Sequence, residues 1–591
     1  MKPVRRWILV SAALALSAPL AATPQAREPG NASAPYSARL RTSFYVPMRD
    51  GTRIAMNVYR PAVDGKPVET RMPVIFAFTP YRARYRNEKG EVVETANSAE
   101  LGLRDMTDHG YIVAVADIRG KGASFGRRRG MQDRTEAQDG HDLVEWLAAQ
   151  PWSDGNVGMT GCSYLGGTVI KTATTAPPHL RAVFAGASDF DKYAFVRAGG
   201  ITGQFNTRPD EPLSVDLASL PVDADTDGAL LRAAVAEHAA NDAMAPLWNT
   251  MPFRDSMSKF TGTRFWEEAS PYTYFQILKR SGIQFYYWGN WHDEPTGQVI
   301  QAAVNLGGRA LIGPGSHCVP PPGVDLGQVQ RHFFDRYLKG MRNGIDEEPR
   351  FRWWVLESEG DPWRTANSYP GAGLKRQSLY PAIGKSGTVA SANDGMLADR
   401  SMGGGGGDSF TVDYDVAAKE YFPFWPAVLD EKGLTYTTPE LAQDVVVTGY
   451  SVVSLTVSSD QPGGNIFVYL EEVAPDGKAE NVAFGRLALA HRKVSPAPYD
   501  NLGLPWHSSR GADILPVKPG IPYTLRIALS PTAKRFRAGH RIRLSVRGAD
   551  PRQRNIAEIR RDPPERMTVR FGKGTRIEIP AESPIRFATS R

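Results

Sequence analysis

The sequence predicts a mostly parallel β-sheet flanked by helices and interrupted by a helical insertion, followed by an all-β domain. Three observations lead to this. Short apolar runs alternate with helical patterns from about Ser37 to Pro320, the pattern of a parallel sheet with helical crossovers. The interval 197–282 breaks the rhythm, with Pro-interrupted stretches, a helical pattern at Gly228 to Ala240 and no convincing buried strand. Past Trp353-Trp354 the composition shifts, and short alternating strands with turn signals take over.

In chain order, residues 1–22 read as a signal peptide. Lys2, Arg5 and Arg6 precede an apolar stretch from Trp7 to Leu20, and the small residues Ala21-Ala22-Thr23 offer a cleavage point. Arg5-Arg6 also resembles a twin-arginine signal, but the flanking residues fit it poorly. No run approaches the ~20 apolar residues a spanning helix needs. An exported protein, periplasmic or secreted and without a membrane span, is therefore expected. The 591 residues imply several domains.

Residues 37–196 form the first part of the expected sheet domain. Arg49-Asp50-Gly51 reads as a hairpin turn, with apolar runs at Val74 to Phe78, Tyr111 to Ala116, Val157 to Met159 and Ala182 to Ala185. Glu136 to Ala149 has helical spacing, with Leu143, Trp146 and Leu147 on one face. Residues 283–355 resume the sheet with Ile283 to Trp288, a helix over Gly297 to Leu306, and Ala310 to Ile312. Residues 356–591 form the all-β domain. Its Gly/Ser/Pro/Asp-rich start, 359–410, reads as irregular connections, and strands are expected at Val445 to Val457, Ile466 to Val473, Tyr523 to Leu529, Arg541 to Arg547, Met567 to Phe571 and Thr575 to Ile579.

The chemistry centres on Gly161-Cys162-Ser163-Tyr164-Leu165-Gly166, between a strand and the helical pattern Thr168 to Ala173. A serine on a sharp strand-to-helix turn is the nucleophile elbow of α/β-hydrolases, which makes Ser163 the candidate nucleophile and 197–282 a candidate helical cap. The strict G-x-S-x-G string occurs instead around Ser124, in a polar loop that leads into no immediate helix. Serine needs a histidine base, and the histidine an acid. Asp293 follows one late strand and His317 the next, 24 residues on, with a helix and a strand between. The order Ser, Asp, His is that of α/β-hydrolases. Asp189 and Asp191 stay open as alternative acids. His292, His109, His141 and His179 are poorly placed, and Glu136, Asp139 and Asp142 read as a solvated or salt-bridged helix face. The backbone N–H of Tyr164 and the phenol of Tyr81 are the candidate oxyanion donors.

The charge of +7 forms no basic stripe, so nucleic-acid binding is not expected. No His/Cys/Asp cluster has zinc-ligand spacing, and no cofactor is expected. The two cysteines, Cys162 and Cys318, flank Ser163 and His317. Either a disulfide or two buried thiols fits, the thiols being preferred. A homo-oligomer is compatible with the sequence.

The ordered set Thr79-Pro80-Tyr81, Asp117-Ile118-Arg119-Gly120, Trp152 to Met159, the elbow, Trp291-His292-Asp293, Gly313-Pro314-x-Ser316-His317 and the C-terminal Ala538 to Ile542 resembles the cocaine esterase/X-Pro dipeptidyl-peptidase-type (CocE/NonD) family. That family includes α-amino-acid ester hydrolases and glutaryl-7-aminocephalosporanic-acid acylases. The resemblance implies an α/β-hydrolase domain with a helical cap and a C-terminal jelly roll. It implies Ser163, Asp293 and His317 as triad and Tyr81 with Tyr164 as oxyanion hole. Gly315 stands where the family usually has tryptophan, and Asn290 and Glu294 differ from common neighbours of the acid. The expected activity is hydrolysis of a small-molecule ester or amide through an acyl-enzyme. An α-amino-acid ester hydrolase, β-lactam side-chain acylase or esterase is favoured. An X-Pro dipeptidyl-peptidase is the alternative, and a jelly-roll binding protein with an inactive hydrolase domain is a further one.

Overall fold

The computed structural model describes residues 34–98, 101–203, 211–389, 393–401, 405–416, 425–553 and 556–588. The expected signal peptide, 1–22, lies outside them.

The chain opens with β1 (Ala38–Pro47) and β2 (Arg53–Val63), a hairpin whose turn is Arg49 to Gly51, and β3 (Lys66–Pro67) on the edge of β2. Next come β4 (Met72–Thr79), the two-stranded ribbon β5 (Arg84–Arg86) and β6 (Val92–Glu94), α1 (Leu103–Asp108), β7 (Ile112–Asp117) and α2 (Arg134–Ala148). β8 (Ser153–Cys162), α3 (Tyr164–Ala173), β9 (Leu180–Gly186) and α4 (Lys192–Val196) complete the first half. After the 197–282 interval follow β10 (Gln284–Asn290), α5 (Thr296–Leu306), β11 (Arg309–Gly313), α6 (Leu326–Tyr337), β12 (Phe351–Trp354) and β13 (Trp363–Ala366). The sheet order is β1-β2-β7-β4-β8-β9-β10-β11-β12-β13. β7, β4, β8, β9, β10, β11 and β12 run parallel, with antiparallel pairs at either end.

The parallel strands are buried on both faces, as their continuous apolar runs require. One face packs Leu143 of α2, Val169 of α3 and Val299 of α5 against Phe76, Val157 and Tyr287. The other packs Leu103 of α1 and Phe333 and Phe334 of α6 against Ile75, Val113 and Phe184. Between 197 and 282 the described residues hold short helices, the longest Ala229–His238, and no named strand.

A second sheet system runs from Arg376 to Pro580. Two sets of strands share Arg376–Ala382 and enclose a core that includes Leu455, Val468, Leu525 and Leu544. The sequence reading differs from the structure here. The first sheet continues to β13, past the boundary expected at 355, and the segment read as irregular, 359–410, carries strands at Trp363–Ala366, Arg376–Ala382, Asn393–Ala398 and Gly407–Thr411. These are only partly buried, so their composition lacks the apolar alternation that marks a strand. No helix among the described residues is long and apolar enough to cross a membrane.

Candidate active site

β8 delivers Ser163 to the C-terminal edge of the sheet, where open α/β sheets bind ligands. Ser163 has φ 63° and ψ −127°, and its N–H is held by Gly186 C=O at 3.1 Å. Such backbone is strained for a non-glycine residue and needs space around it. A Cβ on Gly161 would lie 2.5 Å from Leu165, and one on Gly166 2.1 Å from Gly186 O. Gly166, one place later than the strict motif allows, is thus the position where α3 crosses the end of β9.

Asp293 and His317 stand on the loops after β10 and β11. The Asp293 carboxylate, a pure acceptor when ionised, lies 3.0 Å from His317 Nδ1 through both oxygens. That arrangement assigns the proton to Nδ1 and leaves Nε2 to accept from Ser163 Oγ–H at 2.7 Å. Asp293 is 1% exposed, whereas the histidine side chain is 19% exposed. Asn290, at the end of β10, braces the histidine loop by donating from Nδ2 to the carbonyls of Ser316 (2.6 Å) and Val319 (2.9 Å). Glu294, next to the acid, is held at 3.2 Å by Arg486 of the β domain.

The Tyr81 hydroxyl lies 3.4 Å from Ser163 Oγ, on a turn fixed by Tyr81 N–H donating to Thr79 Oγ1. Tyr164 is the first residue of α3, so its N–H has no carbonyl one turn back to bond. Its phenol points away from the serine and donates to Glu136 at 2.8 Å.

Glu136 is therefore a correction to the sequence reading: it is buried, with only Asp142 of its trio on the outside, tied to Arg49. Burial, reinforced by Asp133, pushes its carboxyl up to about 8. Asp139 is buried as well and pairs with Arg119. The helix face is salt-bridged at Asp139 and Asp142, one of the two readings the sequence allows, and it is Glu136 that departs from both by packing beneath the elbow.

Gln132, which sequence reasoning passed over, completes this support. It is 2% exposed with φ 59°. Its Nε2 donates to Tyr164 C=O at 2.8 Å and its Oε1 accepts from Lys192 Nζ at 2.7 Å. Lys192 and Lys171 both reach Asp189, at 3.2 and 3.1 Å. Against the opposing effect of burial, those two ammoniums hold Asp189 below the usual carboxylate range. Asp191 is engaged by Arg254 and Tyr499. The two alternative acids are thus committed to cations, while Asp293 faces the histidine. The only sequence signal for Gln132 was its place ahead of a capped helix.

Ser124 is fully buried, donating to Asp117 C=O and accepting from Ala55 N–H. His292 packs against Trp425, His109 bonds Asp105, His141 lies by Thr175 and His179 by Glu145. The two cysteines are joined in a disulfide, Cys162–Cys318, which corrects the preference for buried thiols: the 2.7 Å contact between their neighbours brings the chains close enough to bridge.

A pocket of about 530 Å³ opens over Ser163 and His317. Its apolar lining includes Met131, Phe195, Leu213, Met244 and Trp248.

A serine–histidine–aspartate line at the open end of a parallel sheet, below a pocket, defines the class: a serine hydrolase of the α/β type. Residues 50–319 match the X-Pro dipeptidyl-peptidase (S15 family) model, and residues 343–578 match the X-Pro dipeptidyl-peptidase C-terminal non-catalytic domain. The chain thus carries both the catalytic and the C-terminal domain of the X-Pro dipeptidyl-peptidase (S15) type. A Mycobacterium tuberculosis protein provisionally named a serine esterase is 28% identical over 86% of this chain and 90% of its own. The cocaine esterase of a Rhodococcus species is 26% identical over 85% and 90%. Among solved structures, a CocE/NonD family hydrolase from Staphylococcus aureus superposes with a TM-score of 0.68 at 16% identity, over 92% of this chain and 94% of that one.

Proposed function

We propose that this protein is an exported carboxylic-ester hydrolase that takes a neutral acyl group and works through an acyl-enzyme. Ser163 Oγ attacks the ester carbonyl while His317 Nε2 takes its proton. Asp293 holds the imidazole in the required tautomer and stabilises its positive charge. The oxyanion is received by the Tyr81 hydroxyl and the Tyr164 N–H. His317 then returns the proton to the leaving alcohol, and water repeats the sequence to release the acid.

The observation that carries the substrate reading is charge compensation in the pocket. An α-amino-acid ester, a β-lactam bearing an α-amino acyl group or an X-Pro peptide presents an ammonium, which needs a carboxylate not already paired. Among the described residues lining the pocket, every carboxylate has a cation partner. Asp189 has Lys171 and Lys192, Glu211 and Asp216 share Lys121, and Glu294 has Arg486. The apolar wall suits an uncharged acyl group. Relatives named as esterases agree with this reading.

Export is supported by the leader-like residues 1–22 and by a disulfide beside the active site, since such bonds persist in oxidising compartments. The test is a kcat/KM panel on the mature protein with one shared leaving group, methanol: methyl phenylacetate, phenylglycine methyl ester and Ala-Pro methyl ester. The neutral ester is expected to lead by at least about tenfold, one apolar pocket's worth of discrimination. A lead for either ammonium-bearing substrate overturns the acyl-group assignment.

A further inference from the structure

A second cavity, of about 220 Å³, lies between α4, α5 and the β domain and meets the catalytic pocket at Phe195 and Glu294, which line both. Its wall carries three guanidiniums, Arg197, Arg254 and Arg486, against one carboxylate, Glu294. Two of the three are accounted for: Arg254 by Asp191 at 2.6 Å, and Arg486 by Glu294 at 3.2 Å. Arg197, 9% exposed, has no carboxylate partner among the described residues: its neutral neighbours are the Trp248 carbonyl, 3.4 Å from Nη1, and the Tyr193 hydroxyl, and its Nε–H finds no acceptor.

A buried cation without a counter-ion is expensive to maintain unless a ligand compensates it. The surroundings register the excess charge. Burial, offset in part by Tyr193 and deepened by Arg486, lowers the Arg197 guanidinium from its ordinary value. Burial and the Arg197 charge push His491 down to about 4. The wall is built rather than loose. Gly199 (φ 61°) and Gly200 (φ 81°) turn the chain after Arg197 hard against the β domain, where a Cβ on Gly199 would lie 2.2 Å from Arg486 O and one on Gly200 2.5 Å from the His491 ring.

We infer that this cavity is a binding site for a small carboxylate, with Arg197 as its principal ligand. A carboxylate matches the planar fork of a guanidinium and would neutralise the one uncompensated cation of the wall. The carboxylate is a free acid, such as the product an esterase releases, since the acyl group proposed above is neutral; one carried at the far end of the acyl chain is an outcome of the test that would overturn that neutral-acyl reading. The site rests on Arg197 and not on the catalytic assignment, so binding is read without turnover.

The mature protein is titrated with acetate, propionate and glutarate at constant ionic strength, by calorimetry and by thermal melting. Saturable binding with a rise in Tm is expected. Arg197→Met raises Kd by about ten- to a hundredfold, the loss of a charged hydrogen-bonded pair, and Arg197→Lys gives an intermediate value. Half-esters of dicarboxylic acids and their methyl diesters separate the sources. A half-ester preference in kcat/KM that Arg197→Lys weakens and Arg197→Met abolishes marks a substrate-borne carboxylate, and equal turnover of both ester types with binding retained marks a free one. Absence of saturable carboxylate binding to the wild-type protein, or equal binding by wild type and Arg197→Lys, overturns the inference, whatever the folding of Arg197→Met.

Discussion

Removing the Cys162–Cys318 bridge perturbs stability and catalysis by separable amounts. The bond closes a loop of 156 residues. In the chain-entropy description such a closure removes about 17 cal/mol/K from the unfolded chain, or about 5 kcal/mol at 25 °C, and measured values for native bridges cluster at about 2–5 kcal/mol. Unfolding entropy of about 2.1 cal/mol/K per residue amounts to about 1.2 kcal/mol/K for a chain of this size, so the double variant Cys162→Ala/Cys318→Ala melts about 2–4 °C lower. The catalytic effect is limited by Asn290, whose bonds to Ser316 and Val319 C=O bracket the histidine loop independently of the sulfurs. A displacement that leaves this brace intact costs about tenfold in kcat, against the hundredfold that follows a full ångström of misplacement, with KM little changed. Calorimetry and steady-state kinetics on the double variant, with and without Asn290→Ala, give the comparison. Because brace and bridge hold one loop, their kcat losses together should exceed the product of the single losses. Two alkylatable thiols in the native protein, or an unchanged Tm and kcat in the double variant, would refute the reasoning.

Ser163→Ala is expected to lower ester hydrolysis by about a millionfold, as loss of a unit-acting nucleophile does, and a fluorophosphonate should label Ser163 alone, which peptide mapping reads directly. Tyr81→Phe should reduce kcat by about a hundred- to a thousandfold with KM nearly constant; a rise in KM at preserved kcat would assign the hydroxyl to substrate binding instead. Gln132→Leu leaves the Lys192 ammonium to Asp189 alone and frees the Tyr164 carbonyl, so kcat should fall while Gln132→Glu, which still accepts from Lys192, recovers part of it. Glu136 sets a pH dependence whose sign follows from its raised carboxyl, about 8 when folded against the ordinary 4.5 when unfolded. Between those values the folded state holds the extra proton, so this group's stability contribution is complete at low pH and declines by up to about 1.4 kcal/mol per unit as pH rises toward 8. Glu136→Gln should flatten that decline in denaturant titrations from pH 5 to 8, and an unchanged slope would mean the carboxylate is charged in the fold.

The parallel core was legible because strands buried on both faces must read as unbroken apolar runs, and Val74 to Phe78 of β4, Ile112 to Ala116 of β7 and Ala182 to Ala185 of β9 do. The serine, aspartate and histidine were legible because topology sets their order and places each at a strand's end. What was illegible depends on compensation across the fold. Lys192 and Arg543 are buried in the structure but polar on paper, since only their partners, Asp189 and Asp430, make burial affordable. Glu136 reads as part of a solvated or salt-bridged face because its burial rests on the Tyr164 hydroxyl and a raised carboxyl rather than on a cation, and the strands within 359–410 were hidden by their half-exposed faces. The bridge was one of two open readings because its geometry depends on a serine–histidine contact that sequence order implies but does not measure.

Specificity was the least legible property, and the structure gives the reason. The pocket's electrostatic character is not set by which acids line it but by which cations stand behind them, and those come from distant segments. Glu294 adjoins Asp293, yet its charge is answered by Arg486, 192 positions later on the β domain. The same guanidinium forms part of the wall that leaves Arg197 uncompensated. The β domain therefore acts on the site through charge even though it supplies none of the proposed triad or oxyanion groups. A substitution in its Ala479–Ala488 strand, which carries Arg486, would alter the field over two adjoining cavities at once. The groups that set the charge of the pocket are thus spread over two domains, and they can change without touching Ser163, Asp293 or His317.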